Sequence, residues 1–125
     1  MPESVRTAPR EDRVLVGPAI TFSINDEVNR LKQEPEWISG SRNSVTLVNT
    51  AHLSIVLTAL HKNATLCGHE VDGPITLQVL SGAINFGVSG QPRTLEAGKV
   101  IALDKAIPHD IQALEDSELL LTVVK

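Results

Sequence analysis

Hydrophobic and polar residues alternate in short runs along most of the chain from residue 44 onward. Such alternation is typical of β-strands, because successive side chains of a strand point to opposite faces of a sheet. Turn-forming glycine, asparagine, aspartate and proline residues separate the runs, with no helix of crossover length between them. The pattern predicts an all-β domain, an antiparallel sandwich or barrel, over residues 44–125. The predicted strands are Val45–Val48, His52–His61, Thr65–Val71, Pro74–Leu80, Ala83–Val88, Lys99–Leu103, Asp110–Leu114 and Leu119–Val124.

The first part of the chain follows a different pattern, and we treat residues 1–43 as an N-terminal extension. Ser23–Gln33 has helical spacing, with Ser23 or Asn25 as the candidate N-cap. Pro35 ends this short helix, because the residue before a proline avoids the α region. Residues 13–18 are compatible with a short edge strand that ends at a Gly-Pro pair. The sequence therefore predicts one edge strand and one short helix ahead of the barrel.

Alternation divides each predicted strand into two faces, and we expect the more apolar face to line the interior of the barrel. These apolar faces comprise Leu53, Ile55, Leu57 and Ala59 in one strand, and Ile75, Leu77 and Val79 in another. The opposite faces are expected to point outward, and their polar members are Ser54, Thr58, Thr76 and Gln78. Val56, Leu60 and Leu80 lie on the same faces, which makes them candidates for a contact between subunits.

The composition supports a β-rich domain and excludes several classes of protein. Val, Ile and Thr make up 31 of the 125 residues, whereas aromatic residues make up only 2%. The single cysteine, Cys67, excludes an intramolecular disulfide and indicates a reducing compartment, so we expect a cytoplasmic protein. No apolar run approaches the roughly 18 residues of a membrane span, so we expect no membrane partner. With a net charge of −4 and no basic stripe, the chain is not expected to bind nucleic acid.

The spacing of two groups of residues is more specific than the composition. The first group has steps of six, two, four and seven residues and consists of Asn63, His69, Val71, Ile75 and Gly82. The second group has steps of six, two, three and four residues and consists of Gly98, Asp104, Ala106, His109 and Ala113. These intervals resemble the two signature motifs of the cupin superfamily, Gly-x5-His-x-His-x3-4-Glu-x6-Gly and Gly-x5-Pro-x-Gly-x2-His-x3-Asn. The resemblance covers about residues 44–124 and implies a small, single-domain, RmlC-like jelly-roll barrel (a double-stranded β-helix) of the conserved-barrel type.

The resemblance also implies a metal site in which half of the ligands are replaced. Cupin metal sites use two histidines and a glutamate from the first motif and a histidine from the second. The matching residues in this chain are His69, Val71, Ile75 and His109, so two imidazoles remain and two positions are aliphatic. Asn63 stands in place of the first glycine, which is a mild change because asparagine tolerates a left-handed turn.

Two interpretations of the histidine pair follow. In the first, Cys67, His69 and His109 hold a divalent metal, with zinc best suited to two imidazoles and a thiolate, and with iron, manganese and nickel as alternatives. Regular alternation would place Cys67 and His69 on one face of their strand. In the second, no metal is bound, and the two histidines are interior hydrogen-bonding groups that can contact an anion or act as a general acid or base.

Three functional classes are compatible with the sequence. The first is a binding protein that recognises a small metabolite, an anion included, through His69 and His109. The second is a metal-dependent enzyme of the dioxygenase or isomerase type that uses these two residues and Cys67, and the third is an accessory protein without a ligand. The halved ligand set favours the first class. The pocket is expected to be lined by Leu57, Val71, Ile75, Leu77 and Val79. Because small cupins commonly dimerise through an outer sheet face, the resemblance also implies a homodimer.

Overall fold

Two antiparallel sheets pack against each other in the computed structural model of the protein. The structure describes residues 19–69, 73–105 and 107–125, and for residues 67–69 it describes the backbone alone. The predicted edge strand at residues 13–18 and the position of Val71 lie outside the described residues. No helix within the described ranges is both long and apolar enough to cross a membrane.

Nine strands and two short helices make up the regular structure of the described residues. The helices are α1 (Ile24–Leu31) and α2 (Pro35–Ile38). The strands are β1 (Arg42–Asn49), β2 (Leu53–Leu60), β3 (Thr65–His69), β4 (Ile75–Ser81), β5 (Ala83–Val88), β6 (Gln91–Glu96), β7 (Val100–Leu103), β8 (His109–Ala113) and β9 (Ser117–Val124). The large sheet has the order β1-β2-β9-β4-β7, and the small sheet has the order β3-β8-β5-β6. The strand pairings are antiparallel, which confirms the predicted all-β barrel.

One strand, β6, is absent from the sequence prediction, which assigns Gln91 and Pro92 to a turn. β6 lies at the edge of the small sheet, and Leu95 is its one buried residue. An edge strand accommodates a proline, because one side of it forms no ladder hydrogen bonds. β6 therefore carries neither the apolar alternation nor the residue types by which a strand is recognised.

The helical prediction over Ser23–Gln33 is confirmed as α1, and the side chain of Ser23 caps it by accepting a hydrogen bond from the amide of Asp26. α2 is an addition to the prediction. Pro35 not only stops α1 but also occupies the first turn of α2. A proline costs no hydrogen bond there, because the first N–H groups of a helix have no partner within the helix. The two helices bring their apolar side chains, Trp37 among them, onto the large sheet.

The large sheet carries buried apolar side chains on both faces. The barrel core lies between the two sheets and includes Leu60, Ala64, Ile75, Leu77, Val79, Ile84, Phe86, Val88, Leu95, Ile101, Leu103, Ile111, Ala113 and Leu119. The helix core lies between the large sheet and the helices and consists of Val28, Leu31, Trp37, Val45, Leu47, Val48, Leu57 and Ala59. A sheet with two apolar faces needs two covering layers, and the N-terminal helices provide the second one.

This arrangement corrects the predicted orientation of β2. Leu57 is fully buried in the helix core, whereas Val56 lines the interior of the barrel and Leu60 belongs to the barrel core. The reason is that the apolar side chains of the helices require an apolar surface, and the face of β2 that contains Leu57 supplies it. Because side chains alternate along a strand, Ser54 and Thr58 then point into the barrel.

Two turns have backbone conformations that explain residues of the cupin-like spacing. Asn63 has a φ of 75°, so the predicted left-handed turn at this position is confirmed. Gly82, between β4 and β5, has a φ of 84°. A Cβ atom at Gly82 would lie 2.3 Å from both the carbonyl oxygen of Asp116 and the Oγ atom of Ser117. No side chain fits there, which accounts for a glycine at the end of the first group.

Asn43 joins the two helices to the large sheet. Its side chain is buried, and Nδ2 donates hydrogen bonds of 2.9 Å to the carbonyl oxygen of Leu31 and to Oε1 of Glu34. Its Oδ1 atom accepts a hydrogen bond of 2.9 Å from the amide of Ser44. The C-terminal end of α1 and the start of α2 are thus fixed to the first strand of the barrel.

Candidate functional site

A cavity of about 450 Å³ lies between the two sheets. Its apolar lining residues are Val56, Leu66, Leu77, Ile111, Leu119, Leu121 and Val123, and its polar lining residues are Arg42, Ser44, Ser54, Thr58, His109 and Lys125. A volume of this size, with a largely apolar wall and a few polar groups, is typical of a site for a small organic molecule. We refer to it as the interior cavity.

The wall that the large sheet contributes changes from polar to apolar across the sheet. Ser44 on β1 is the register partner of Thr58 on β2, and both line the interior cavity. On the next strands, Leu121 of β9 pairs with Leu77 of β4, and these line the cavity as well. The cavity therefore has a hydroxyl-bearing side near the edge of the large sheet and a hydrocarbon side nearer its centre.

His109 lies on the opposite wall, at the start of β8, and is 4% exposed. Its ring stacks on Phe86, with the ring centroids 5.1 Å apart and 15° between the planes. Its Nδ1 atom lies 3.0 Å from the carbonyl oxygen of Ile107. Because a carbonyl oxygen only accepts hydrogen bonds, Nδ1 carries the proton, and Nε2 of the neutral ring keeps its lone pair.

His109 also borders a second, more open cavity of about 570 Å³. The other residues that line it are Gly87, Ser89, Gly90, Pro92, Ile107, Pro108 and Asp110. The imidazole of His109 therefore lies between the interior cavity and a cleft at one end of the small sheet. A group in this position can contact molecules on either side.

The second histidine of the predicted pair, His69, is the register partner of His109 in the ladder between β3 and β8. The register shifts between Leu66, which pairs with Ile111, and His69. The prediction that Cys67 and His69 share a face assumes unbroken alternation, and the shift falls within the segment from Leu66 to His69 that contains both residues. The side chains of Cys67 and His69 are not described, so their roles as ligands stay predictions.

Some of the other predicted pocket residues line the interior cavity, and others are buried in one of the two cores. Leu77 and His109 line the interior cavity, whereas Ile75 and Val79 are buried in the barrel core. Val71 lies outside the described residues. The expected lining residue Leu57 is in the helix core instead, and Val56 takes its place in the cavity wall.

Several polar lining residues escaped the sequence prediction, namely Arg42, Ser44, Ser54, Thr58 and Lys125. Alternation alone assigns Ser54 and Thr58 to an outward face, because it does not include the helices that cover the other face of β2. The apolar residues of the predicted helix are the signal that would have found them, since a surface helix needs an apolar strand face beneath it.

The residues at the cupin ligand positions do not fit the four-ligand metal site of that family. Val71 and Ile75 have hydrocarbon side chains, and Ile75 is buried in the barrel core. Among the side chains that the structure describes, no three His, Cys, Asp or Glu residues are grouped closely enough to hold a metal ion. The three-donor set of Cys67, His69 and His109 includes two side chains beyond that description and is not tested by this observation.

No known family model and no curated protein matches the sequence, but solved structures match the fold. A conserved protein of unknown function from Streptococcus pyogenes is 25% identical, with a TM-score of 0.66, over 88% of this chain and 90% of that one. A cupin 2 conserved barrel domain protein from Leptotrichia buccalis is 29% identical, with a TM-score of 0.65, over 69% of this chain and 42% of that one.

An RmlC-like cupin family protein with a double-stranded β-helix fold, from Methanocaldococcus jannaschii, is 18% identical. The similarity covers 67% of this chain and 80% of that one, with a TM-score of 0.62. These structures have the architecture that the motif spacing predicts, so the resemblance stated from the sequence is confirmed at the level of the fold.

Proposed function

We propose that this chain, which has the fold of small cupin barrels, binds a small organic molecule in the interior cavity, with His109 as the central polar contact. The observation that carries the proposal is the fixed orientation of His109 in the wall of a 450 Å³ cavity. The hydrogen bond to Ile107 and the stack on Phe86 hold the ring, so little side-chain entropy is lost when a ligand binds.

The chemistry of such a contact follows from the tautomer. With Nδ1 donating to Ile107, Nε2 of the neutral ring accepts a hydrogen bond from a ligand hydroxyl or amine, and Nε2 of the protonated ring donates one to a ligand oxygen. His69, which is opposite His109 in the ladder, is proposed as the second imidazole of the site. Leu77 and Leu121 offer an apolar surface for the carbon skeleton of the ligand.

The second candidate function is a metal-dependent enzyme of the dioxygenase or isomerase type. The backbone pairing of His69 with His109 supports it, because two histidines are half of a cupin ligand set. The hydrocarbon side chains of Val71 and Ile75 disfavour it, because a catalytic zinc or iron generally needs three protein ligands. The metal content of the purified protein separates the two candidates.

The proposed function is tested by a thermal-shift screen of neutral and charged metabolites, followed by calorimetry on the compounds that stabilise the protein. His109→Asn is the informative variant, because the shorter amide can still reach the Ile107 carbonyl oxygen but lacks an atom at the position of Nε2. We expect at least tenfold weaker binding, which is about 1.4 kcal/mol.

The matched control is His52→Ala, which removes an exposed histidine that lies outside the lining of the interior cavity. This variant should bind as the wild type does. If ligands bind the His109→Asn variant as tightly as they bind the wild type, then His109 is not the central polar contact. A screen in which no compound stabilises the protein would overturn the proposed function itself.

We also propose that the protein is a homodimer that associates through the outer face of the large sheet. Gln78 on β4 pairs with Val100 on β7, and Val100 is 56% exposed. Leu80 and Leu120 are only partly buried, at the border of the helix core. Of the residues expected at this interface, Leu80 remains a candidate, whereas Val56 and Leu60 point into the barrel.

Light scattering at micromolar concentration tests the dimer. A monomeric mass for the wild type would overturn it, and Val100→Asp should halve the mass of a dimer. Leu114→Asp is the matched control, because Leu114 is an exposed apolar residue in the turn between β8 and β9. Equal masses for both variants would show that the interface lies elsewhere.

A further inference from the structure

The charged residues that the structure describes in the wall of the interior cavity have one sign. Of the described residues that line it, Arg42 and Lys125 are charged, and no aspartate or glutamate accompanies them. The whole chain, by contrast, has a net charge of −4. A cleft lined by one sign of charge concentrates the field there and attracts ligands of the opposite sign.

Both cations are held by neutral oxygen atoms rather than by carboxylates. Nη1 of Arg42 donates a hydrogen bond of 3.2 Å to the carbonyl oxygen of Thr65. Nζ of Lys125 donates to the carbonyl oxygen of Thr50 at 2.9 Å and to Oδ1 of Asn49. Neither forms an ion pair with a described carboxylate. Their positive charges are therefore oriented but not neutralised within this part of the chain.

The two cations lie toward opposite ends of the cavity. Arg42 is the register partner of Leu60 at one end of β2, and the amide of Lys125 donates to the carbonyl oxygen of His52 just before the other end. At about 3.3 Å per residue, the backbones at the two ends of this strand are roughly 23 Å apart. A six-carbon ligand therefore meets one cation directly, while the other contributes to the field.

Hydroxyl groups line the wall between the cations. Ser44, two residues from Arg42, is the register partner of Thr58, and Ser54 lies nearer Lys125. None of these three hydroxyls takes part in a side-chain hydrogen bond among the described residues. They are only partly buried, so each can exchange water for the hydroxyl of a ligand.

We propose that the interior cavity takes a polyhydroxylated carboxylate, with the carboxylate on Arg42 and the ligand hydroxyls along Ser44 and Thr58. This rests on the proposed function, since it names the class of molecule that the cavity binds. Arginine is assigned the carboxylate because its planar fork of N–H donors matches two carboxylate oxygens, whereas lysine offers a point charge. The hydrocarbon side of the cavity excludes water from the carbon chain.

Three six-carbon probes test the two halves of this proposal by calorimetry at constant ionic strength. Gluconate has both hydroxyls and a charge, sorbitol has hydroxyls without a charge, and hexanoate has a charge without hydroxyls. We expect saturable binding of gluconate, with sorbitol and hexanoate each at least tenfold weaker. Sorbitol that binds as tightly as gluconate would overturn the anionic assignment, and hexanoate that does so would overturn the role of the hydroxyls.

Variants at the cationic ends locate the carboxylate. Arg42→Gln should weaken gluconate binding at least tenfold, and Arg42→Lys should restore part of the loss. Lys125→Gln should have a smaller effect that fades as salt is added, because it acts through the field. Arg93→Gln, on the exposed edge strand β6, is the control and should bind gluconate normally. An Arg42→Gln variant that binds gluconate normally would overturn the proposal.

This experiment also separates the proposal from the function on which it rests. If screened neutral compounds bind through His109 while gluconate does not bind, the cavity is a ligand site and the polyhydroxylated carboxylate is the wrong class. If neither gluconate nor any screened compound binds, the proposed function fails, and the ligand class fails with it.

Discussion

The imidazole ring of His61 lies against the indole ring of Trp37, with the ring centroids 3.5 Å apart and 15° between the planes. Its Nε2 atom also lies 2.7 Å from the backbone carbonyl oxygen of Trp37, to which it donates a hydrogen bond. The ring of His61, the residue after β2, thus contacts both the side chain and the backbone of Trp37 in α2. The helix core depends on this attachment, because Trp37 is the largest side chain that the helices contribute.

Replacing His61 should loosen this attachment. We expect His61→Ala to lower the free energy of unfolding by about 1–2 kcal/mol, from one hydrogen bond and one aromatic contact. Urea unfolding, monitored by the fluorescence of Trp37, measures this free energy, because Trp37 is the single tryptophan of the chain. His52→Ala, at an exposed position, should stay within about 0.5 kcal/mol of the wild type. An equal loss in both variants would contradict the role assigned to His61.

The same substitution near the two ends of β1 should have very different effects on stability. Asn43→Asp replaces the amide nitrogen that donates to Leu31 and Glu34 with an oxygen, which leaves two acceptors facing a buried carboxylate. We expect a loss of about 3 kcal/mol. Asn49→Asp keeps the oxygen that accepts from Lys125 at an exposed site, so it should change stability by less than about 0.5 kcal/mol.

Urea unfolding of both variants at neutral pH measures the difference. If Asn49→Asp loses as much stability as Asn43→Asp, then the added carboxylate acts through the net charge of the protein and not through the buried hydrogen bonds. A stable Asn43→Asp variant would show that α1 and α2 are held to the sheet by apolar packing alone.

The fold was predictable from the sequence because short alternating runs and the motif spacing depend on local geometry. Asn63 and Gly82 occupy the left-handed turns that the spacing requires, and β5 has the predicted bounds, Ala83–Val88. The orientation of β2 was not predictable by alternation alone. One face has four apolar residues and the other has two, so alternation alone places the more apolar face inside the barrel. The packing of the helices on that face reverses this orientation, and the face with Val56 and Leu60 lines the barrel instead.

The candidate site was predictable in part for the same reason. His109 and Leu77 follow from motif spacing and alternation, and both line the interior cavity. Arg42 and Lys125 are distant in sequence from both motifs, and nothing in their local pattern marks them. They reach the cavity because β1 and β9 flank β2 in the large sheet, a relationship that depends on the sheet order.

Neighbouring residues of β2 should therefore respond differently to truncation. Leu57→Ala removes a fully buried side chain from the helix core and should cost about 3 kcal/mol of stability. Thr58→Ala removes a half-buried hydroxyl from the interior cavity and should cost less than about 1 kcal/mol, while weakening the binding of gluconate. Urea unfolding and calorimetry on the two variants check both effects. A Thr58→Ala variant that loses stability but not affinity would contradict the assignment of the two faces.

Metal content distinguishes the binding protein from the enzyme. We expect the protein, purified without a metal-binding tag, to contain well below one equivalent of zinc, iron, manganese or nickel by mass spectrometry. The reason is that Val71 and Ile75 donate no lone pair at two of the four cupin ligand positions. One equivalent of metal that disappears in both His69→Ala and Cys67→Ala would contradict this prediction and would support the metal-dependent enzyme.

Restoring the two missing donors should create the four-ligand metal site of the cupin motifs. The double variant Val71→His with Ile75→Glu supplies the histidine and the carboxylate of the cupin set beside His69 and His109. Without metal, the carboxylate at position 75 is buried in the barrel core and should destabilise the fold by about 3 kcal/mol or more. Added zinc or manganese should then raise the melting temperature of the double variant and leave that of the wild type unchanged. The single variant Ile75→Glu has one donor fewer, so added metal should raise its melting temperature by less. If metal stabilises neither variant, then these positions do not converge in this barrel as they do in metal-binding cupins.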